Sequence, residues 1–296
     1  MNLLITGAWT DANKHITEIE AMGHRVWFLQ QEKDELPCTY EWVEGVICNG
    51  LFLHHSISRF MNLRYIQLTS AGYDRVPMEE VERRHIEIHN ARGVYSIPMA
   101  EFAIAGVLDL YKDMARFREQ QKKHEWVKYR NIRELAGSRV VIVGCGSVGT
   151  ECAKRFKAFG CQVIGIDLYV RNDCNYYAIK ELQSLQEEIS EADVMILTLP
   201  LTDETRGLID KEMLSSFKGI LVNISRGGVV DQRALEQWNG AAVLDVFNEE
   251  PLEENSPLWD KENTIITPHN SFAGNGNGDR LRKIILMNIQ RRVNKE

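Results

Sequence analysis

The stretch Arg139-Val-Val-Ile-Val-Gly-Cys-Gly-Ser-Val-Gly149 decides the fold of this chain. Its apolar first half is rich in β-branched residues and predicts a strand, and three glycines spaced G-x-G-x-x-G follow. In a dinucleotide-binding turn, Gly144 allows the tight bend, Gly146 lets the backbone approach a pyrophosphate, and Gly149 lets a helix pack closely on the strand. The stretch therefore predicts the first strand, turn and helix start of a dinucleotide-binding unit.

A helix and a second strand follow the glycine turn. The pattern predicts the helix over about 148–159, so Ser147 and Val148 would present free N–H groups and a partial positive charge to phosphates. The second apolar run closes with Asp167, where a carboxylate can accept hydrogen bonds from both ribose hydroxyls. Strand, turn, helix, strand and acid together favour an NAD site over the alternative, a glycine-rich βα turn without a ligand.

Length and composition indicate a globular protein of about two domains. The 296 residues are 44% hydrophobic and 26% charged, and the net charge of −7 argues against a nucleic-acid partner. The six cysteines show neither C-x-x-C nor metal-ligand spacing, which predicts reduced thiols, no metal and a cytoplasmic location. No signal-peptide pattern or apolar run of about 18 residues is found, so we expect no membrane association.

The first 93 residues alternate short apolar runs with amphipathic segments, which predicts a parallel sheet covered on both faces. The loop Thr69-Ser-Ala-Gly-Tyr-Asp74 follows one expected strand, at the end where an open α/β sheet binds its ligand. Its successive N–H groups could bind a carboxylate, although an ordinary βα turn is the alternative. The expected strands are Leu3–Thr6, Arg25–Leu29, Gly45–Cys48, Tyr65–Thr69 and Ile86–His89.

A long helix is predicted to start at Ile97-Pro98 and to link two domains. Apolar residues recur at helical spacing as far as Phe117. Residues 119–136 are polar with aromatic interruptions, and we expect an exposed arm there. The helix and the arm together hold more apolar surface than one domain should expose, which predicts a two-fold homodimer.

From residue 139 strands and helices alternate again, and six strands predict a complete doubly wound domain. The glycine-rich 273–278 predicts a hinge or loop, and a final helix over about 279–293 should pack on the first domain. The expected division is 1–93 plus 271–296 for a discontinuous first domain and 94–270 for the NAD-binding domain. The six expected strands are Val140–Val143, Gln162–Ile166, Val194–Leu199, Ile220–Ile224, Ala242–Asp245 and Thr264–Thr267.

Five segments read together resemble the D-isomer-specific 2-hydroxy acid dehydrogenase family. The resemblance covers most of residues 65–290 and implies two doubly wound parallel-sheet α/β domains, a Rossmann NAD-binding domain and a flavodoxin-like substrate domain. It also implies hydride transfer between NAD(H) and a small D-2-hydroxy acid or 2-oxo acid, such as glyoxylate, hydroxypyruvate or pyruvate. The segments are Asn90-Ala-Arg-Gly-Val-Tyr-Ser-Ile-Pro-Met-Ala-Glu101, Leu199-Pro-Leu-Thr-Asp-Glu-Thr-Arg-Gly-Leu-Ile209, Val222-Asn-Ile-Ser-Arg-Gly-Gly-Val-Val-Asp231, Asp245-Val-Phe-Asn-Glu-Glu-Pro-Leu252 and Thr267-Pro-His-Asn270.

The resemblance places the family's catalytic arginine, glutamate and histidine on Arg226, Glu250 and His269. Glu249 is a second candidate, but the family's acid directly precedes a proline, as Glu250 does. Asp245 is implied to lie near the nicotinamide amide. The implied cofactor contacts beyond the glycine turn are Leu199, Pro200, Thr205, Ile224, Ser225, Arg226, Asp245 and His269, and the implied substrate contacts are Ser70, Ala71, Gly72, Arg226 and His269.

The chemistry of these three side chains supports the same roles. Arg226 has a planar, permanently charged fork that matches a carboxylate. His269 is the type of side chain that exchanges protons near neutrality. Glu250 can accept a hydrogen bond from the other ring nitrogen and so fix the tautomer. Each follows a strand of one predicted sheet, so we expect all three at the same edge.

Other functions remain open on the sequence alone. Nucleotide-sensing corepressors share the family's fold and can retain the catalytic set, so a binding protein for NAD(H) is the alternative to an enzyme. A methyltransferase could also contain the glycine motif, but it would not need Arg226, Glu250 and His269. Formate dehydrogenases of this fold have a glutamine where Glu250 stands, which disfavours that activity.

Overall fold

The structure is a computed structural model that describes residues 1–293 of the chain. It divides into two compact units. The first contains Met1–Tyr95 and the chain from Gly274 onwards, and the second contains Ser96–Ala273.

Twelve strands, nine α-helices and seven short 3-10 helices make up the regular structure of residues 1–293. The strands are β1 (Asn2–Thr6), β2 (Arg25–Leu29), β3 (Gly45–Cys48), β4 (Tyr65–Leu68), β5 (Glu87–His89), β6 (Arg139–Val143), β7 (Gln162–Asp167), β8 (Ala178–Glu181), β9 (Val194–Leu197), β10 (Ile220–Asn223), β11 (Ala241–Leu244) and β12 (Thr264–Ile266). The helices are α1 (Ile16–Ala21), α2 (Met78–Arg83), α3 (Ser96–Tyr111), α4 (Met114–Lys122), α5 (Ser147–Ala158), α6 (Leu185–Ser190), α7 (Lys211–Ser216), α8 (Gln232–Gln237) and α9 (Asn277–Val293).

The first unit is a five-stranded parallel sheet in the order β2-β1-β3-β4-β5. This is the strand order of flavodoxin-like folds, and helices cover the sheet because both faces of its central strands are apolar. On one face α9 contributes Leu281, Ile285 and Ile289, at a spacing of four residues, to a core shared with β1 and β4. A buried hydrogen bond of 2.8 Å from Asn288 Nδ2 to Gln67 Oε1 also links α9 to β4.

The second unit is a seven-stranded parallel sheet in the order β12-β11-β10-β9-β6-β7-β8. After β8 the chain crosses over the sheet to β9, which lies on the other side of β6, so the strand order changes direction there as in a Rossmann fold. Separate apolar cores cover the two faces of the sheet. The predicted class, two doubly wound α/β domains of Rossmann and flavodoxin-like type, is confirmed. The predicted number of strands was wrong by one, because the sequence analysis missed the short edge strand β8.

The long helix expected from Pro98 to Phe117 is broken into α3 and α4. Asp113, between them, adopts the left-handed conformation with φ 49°. Its carboxylate accepts a hydrogen bond of 2.5 Å from Arg116, in the first turn of α4. After α4 the chain continues without regular structure, and Trp126 there is 96% exposed.

Residues 1–293 contain neither a membrane-crossing helix nor a cluster of metal ligands. None of their helices combines the length and the hydrophobicity needed to cross a bilayer. Within the same residues, no three histidine, cysteine, aspartate or glutamate side chains lie close enough together to hold a metal ion.

Candidate active site

The glycine turn between β6 and α5 has the geometry expected of a dinucleotide-binding turn. Gly144 has φ 98°, a conformation that strains any residue with a side chain. A β-carbon on Gly149 would lie 2.0 Å from the carbonyl oxygen of Gly144, so only glycine allows α5 to approach the strand this closely. Nothing lies within 4 Å of the position that a β-carbon of Gly146 would take. The space over Gly146 is therefore open to a ligand.

The N-terminus of α5 presents unoccupied donors to that space. Among the described residues, no acceptor lies on the N–H groups of Gly146, Ser147 and Val148. Such groups at the start of a helix bind phosphate by direct hydrogen bonds and by the helix dipole. The residues present therefore fit the pyrophosphate of a dinucleotide.

Asp167, the last residue of β7, is fixed beside this turn by backbone donors. Its Oδ2 accepts from the N–H of Cys145 at 2.6 Å, and its Oδ1 accepts from the N–H of Tyr169 at 3.2 Å. The Arg171 guanidinium donates to the carbonyl oxygen of Cys145. The positive charge of Arg171 thus lies on the turn, next to the Asp167 carboxylate that we expect to bind the ribose.

The thiol of Cys145 is buried under the turn. Burial raises the pKa of Cys145 to about 12, and burial likewise raises the pKa of Cys152, on α5, to about 12. Thiols with such pKa values are neutral at physiological pH and poor nucleophiles. Cys145 is fully buried in the apolar core and therefore contributes to packing.

Four further predicted cofactor residues follow β9 and β10. Leu199 is buried and Pro200 is exposed, and the Thr205 hydroxyl donates to the carbonyl oxygen of Pro200 at 2.7 Å. Thr205 therefore closes the loop that contains Pro200. Ile224 lies in the apolar core, and the hydroxyl of Ser225 donates to Asn223 Oδ1 at 2.9 Å. Ile224 can therefore offer an outside ligand only backbone groups, whereas the N–H of Ser225 also donates to Asn223 Oδ1 at 3.1 Å.

The three predicted catalytic residues follow three neighbouring strands. Arg226 comes after β10, Glu250 after β11 and His269 after β12, and these strands are adjacent in the sheet. Parallel strands end at the same edge, so the three residues belong to one edge of the second unit. The Arg226 guanidinium donates to the carbonyl oxygen of Ser225 at 2.8 Å.

His269 and Glu250 form a hydrogen-bonded pair. Nδ1 of His269 lies 2.8 Å from Oε2 of Glu250, while Oε1 of Glu250 accepts from the N–H of Phe247 at 3.0 Å. Because an ionised carboxylate only accepts, the proton of this bond is on Nδ1, and Nε2 is left to exchange a proton with a ligand. The side chains are 43% and 37% exposed, so a ligand can reach them.

Asp245 holds the loop on which His269 lies, a role that the sequence analysis did not predict. Asp245 is fully buried. Its Oδ1 accepts from the hydroxyl of Thr267 at 2.6 Å and from the N–H of Asn270 at 2.7 Å, and its Oδ2 accepts from the N–H of Ser271 at 2.9 Å. His269, at the centre of this loop, has φ 49°. A buried carboxylate with three donors thus fixes the backbone on both sides of the histidine.

Phe272 is a second neighbour of His269 that the sequence analysis missed. Its ring lies edge to face with the imidazole, with centroids 6.3 Å apart, and the residue is 44% exposed. No sequence motif singles it out, since it lies just beyond Thr267–Asn270, the last segment that carries the family resemblance.

In the first unit the predicted loop Ser70–Gly72 follows β4. Its carbonyl groups are occupied: Ser70 O accepts from Ala91 N–H at 2.8 Å, Ala71 O from Asn90 Nδ2 at 2.6 Å, and Gly72 O from the Ser70 hydroxyl at 3.1 Å. In contrast, no acceptor within the described part of the chain lies on the N–H groups of residues 70–72. The loop therefore presents donors and no free carbonyl oxygens.

Comparison with known proteins identifies the family. Residues 104–271 match the family model described as "D-isomer specific 2-hydroxyacid dehydrogenase, NAD binding domain". The chain is 32% identical to a glyoxylate reductase of Korarchaeum cryptofilum over 239 residues, which cover 77% of this chain and 72% of that protein. It is 30% identical to an (S)-sulfolactate dehydrogenase of Chromohalobacter salexigens, over 79% of each chain.

A solved structure gives the same result. A D-isomer specific 2-hydroxyacid dehydrogenase family protein from Aeromonas salmonicida superposes with a TM-score of 0.87 and 28% identity, covering 100% of this chain and 96% of that one. The chain belongs to the D-isomer specific 2-hydroxyacid dehydrogenase family. It is an NAD(P)-dependent oxidoreductase of hydroxy acids, which confirms the family, activity class and cofactor class predicted from the sequence.

Proposed function

We propose that this enzyme uses NAD(H) to interconvert a small 2-oxo acid, of the size of glyoxylate, pyruvate or hydroxypyruvate, and the corresponding D-2-hydroxy acid. The observation that supports the proposal is the hydrogen-bonded pair of His269 and Glu250, which lies at the same edge of the sheet as Arg226. A proton-exchanging group, its carboxylate partner and a cation for a carboxylate are what reduction of a 2-oxo acid requires.

In the proposed reaction a dinucleotide held at the glycine turn would supply or accept the hydride at C2 of the substrate. His269 donates the proton from Nε2 to the carbonyl oxygen as the hydride arrives, which completes the hydroxyl group. Glu250 keeps the ring in one orientation and stabilises the imidazolium that precedes the transfer. Arg226 binds the substrate carboxylate and polarises the carbonyl.

Two further sets of contacts belong to the proposal. The free N–H groups of Ser70, Ala71 and Gly72 bind the substrate carboxylate, because a carboxylate accepts several backbone donors at once. Asp167 binds the ribose and favours NAD(H) over NADP(H). The cofactor contacts beyond the turn are those named from the family resemblance. Ile224 contributes through its backbone, and Asp245 contributes by holding the loop that contains His269.

A screen for NADH oxidation over glyoxylate, pyruvate and hydroxypyruvate tests the proposed function. We expect turnover with at least one of them, and loss of turnover in His269→Ala with NADH binding retained. Binding of NADH without turnover of any 2-oxo acid would contradict the proposal and would support the nucleotide-sensing corepressor instead.

The assembly and location are also part of the proposal. Trp126 (96% exposed), Val127 (60%) and Ile132 (37%) lie on the arm after α4, and exposed apolar side chains grouped on one segment are typical of a protein–protein contact. We expect a two-fold homodimer built on α3, α4 and this arm, and a monomer by light scattering at micromolar concentration would contradict it. The six free cysteines favour a cytoplasmic location.

A further inference from the structure

The chain contains four Asn-Gly dipeptides, and the structure gives each a different environment. An asparagine is thermolabile, and most so before glycine, which has no side chain to hinder attack of its backbone nitrogen on the asparagine amide. The reaction needs a side-chain amide that can move and a backbone N–H that can lose its proton. The four pairs are Asn49-Gly50, Asn239-Gly240, Asn275-Gly276 and Asn277-Gly278.

Asn49-Gly50 is protected by a carboxylate. The N–H of Gly50 donates to Glu32 Oε2 at 2.6 Å, and the N–H of Asn49 donates to Glu32 Oε1 at 2.7 Å. Loss of the proton from the Gly50 nitrogen would break a charge-assisted hydrogen bond and place one anion beside another. The Asn49 Oδ1 atom is also buried. We therefore expect this pair to stay intact in the folded protein.

Asn277-Gly278 lies at the start of α9, beside a negative charge. Asn277 is the first residue of α9, and its Oδ1 accepts from Arg280 at 2.8 Å, so its backbone and its side chain are both held. Among the described residues, the only atom within 4 Å of the position that a β-carbon of Gly278 would take is Oδ2 of Asp11, at 3.4 Å. A negative charge there disfavours the amide anion that must attack. This pair should therefore react slowly.

Asn239-Gly240 is exposed, and its glycine lies against an aromatic ring. The three atoms nearest to the position that a β-carbon of Gly240 would take all belong to the indole of Trp238, at 1.9–2.3 Å. An apolar neighbour does not stabilise an anion. Exposure alone therefore favours reaction at Asn239.

Asn275-Gly276 combines exposure, a free N–H and a neighbouring cation. Asn275 is exposed in the turn that precedes α9. Nowhere in residues 1–293 is there an acceptor for the N–H of Gly276. Arg280 Nη1 lies 2.7 Å from the position that a β-carbon of Gly276 would take. A guanidinium thus lies against the backbone of this glycine.

The positive charge of Arg280 can act on the Gly276 nitrogen. Its Nε donates to Val94 O at 2.7 Å and its Nη2 to Asn277 Oδ1 at 2.8 Å, and both acceptors are uncharged. No carboxylate of the described chain forms an ion pair with this guanidinium. Its charge therefore stabilises the amide anion of Gly276, the opposite of the effect of Asp11 at Gly278.

We propose that Asn275 is a site of spontaneous deamidation, promoted by Arg280, between the loop that contains His269 and α9. The Gly276 nitrogen loses its proton and attacks Cγ of Asn275. The new N–Cγ bond closes a succinimide ring, and the Cγ–N bond of the side-chain amide breaks and releases ammonia. Water then opens the ring at one of its two carbonyls, which leaves aspartate or β-linked isoaspartate. The proposal does not depend on the proposed activity.

The experiment follows the full-length protein at pH 7 and pH 9 by peptide mass spectrometry, and isoaspartate is measured by methyl transfer with a protein isoaspartyl methyltransferase. We expect Asn275 to be modified first and Asn239 later, while Asn49 and Asn277 persist. Reaction should be faster at pH 9, where the amide anion forms more readily. In protein unfolded by urea the four pairs should react at similar rates, because the fold causes their differences.

Substitutions test the site. Asn275→Gln keeps an amide on a longer side chain and should remove the first product, whereas the matched control Asn239→Gln should retain it. Arg280→Gln should slow the modification of Asn275 about fivefold, the effect of one charge at about 4 Å in water, and Arg280→Lys should restore most of the rate. Added salt should also slow the reaction of the unmutated protein, because it screens the charge without changing the sequence.

Other results would contradict the proposal. An intact Asn275 after Asn239 has reacted, a first product that persists in Asn275→Gln, or the same relative rates in folded and unfolded protein would each overturn it. If neither Arg280→Gln nor added salt lowered the rate at Asn275, the role of Arg280 would be wrong and exposure alone would select the site.

Discussion

The Oε2 atom of Glu250 lies 2.8 Å from Nδ1 of His269, and the other oxygen of the same carboxylate is bound by the N–H of Phe247. The carboxylate is therefore held from two sides and orients the ring, with Nε2 away from it. This relationship supports the proposal that two residues 19 positions apart in sequence act as one acid.

Replacing Glu250 by glutamine should distinguish two effects of Glu250 on His269, the orientation of the ring and the negative charge beside it. Glu250→Gln keeps an acceptor for Nδ1 but loses the negative charge, so we expect kcat for 2-oxo acid reduction to fall roughly 10–100-fold, the value of one charge-assisted hydrogen bond. The dissociation constant of NADH, measured by fluorescence, should not change. Glu249→Gln is the control, since Glu249 is the adjacent carboxylate. A loss of kcat in Glu249→Gln with Glu250→Gln still active would show that the acid had been assigned to the wrong glutamate.

Asp245 should affect catalysis through the loop that it anchors. Asp245→Asn replaces one carboxylate oxygen by an amide nitrogen, which cannot accept, so one of the three donors is left buried and unpaired. We expect a destabilisation of about 1–3 kcal/mol, measured by urea denaturation, together with a fall in kcat. Thr267→Val, which removes a single donor and preserves packing, should show a smaller change in both quantities. Loss of stability with native kcat in Asp245→Asn would mean that the loop does not position His269.

Much of this site followed from the sequence because it depends on the ends of parallel strands. Arg226, Glu250 and His269 each stand just beyond an apolar run, and parallel strands end at one edge, so their common edge was predictable. The glycine turn was predictable for a similar reason. Its spacing reflects local backbone geometry, and Gly144 and Gly149 meet those requirements at short range.

Three features of the structure were not predicted from the sequence, and the first of them depends on contacts between distant segments. The bonds of Asp245 to Thr267, Asn270 and Ser271 span at least 22 positions, and the residue types alone do not specify them. The edge strand β8 is short and mixes apolar with charged residues, so no alternation identified it. The break before α4 has neither glycine nor proline, and Asp113 adopts its left-handed conformation at a position that local propensity marks only weakly.

The preference for NADH over NADPH should depend on the charge of Asp167. Its carboxylate would repel a 2′-phosphate, while Arg171, on the carbonyl of Cys145, partly offsets that repulsion. Asp167→Asn keeps an oxygen for the N–H of Cys145 and removes the charge, so the ratio of kcat/KM for NADH over NADPH should fall, and Arg171→Ala should raise it. Equal or better use of NADPH by the unmutated enzyme would refute the assignment of Asp167.

Glu188 should make stability depend on pH. Its side chain is 2% exposed, and it accepts from both Arg139 and Lys180. Burial alone would raise the pKa of the Glu188 carboxyl, but the hydrogen bonds and charges of Lys180 and Arg139 hold it below its ordinary value of 4.5. A depressed pKa means that the folded state favours the ionised form. The stabilisation is therefore present above pH 4.5 and is lost as the pH falls through the pKa of the folded state.

The variant Glu188→Gln tests this dependence. At pH 7 its free energy of unfolding should be lower by about 1–3 kcal/mol, because a charged acceptor of two cations is lost in a buried position. The difference from the unmutated protein should shrink as the pH is lowered below 4.5, and it should be smallest below the pKa of the folded state, where the native carboxyl is neutral as well. Glu119→Gln, at an ion pair whose side chains are 71% and 58% exposed, is the control and should change stability little at any pH. A stability difference for Glu188→Gln that stayed constant between pH 7 and pH 3 would show that packing, not charge, explains its effect.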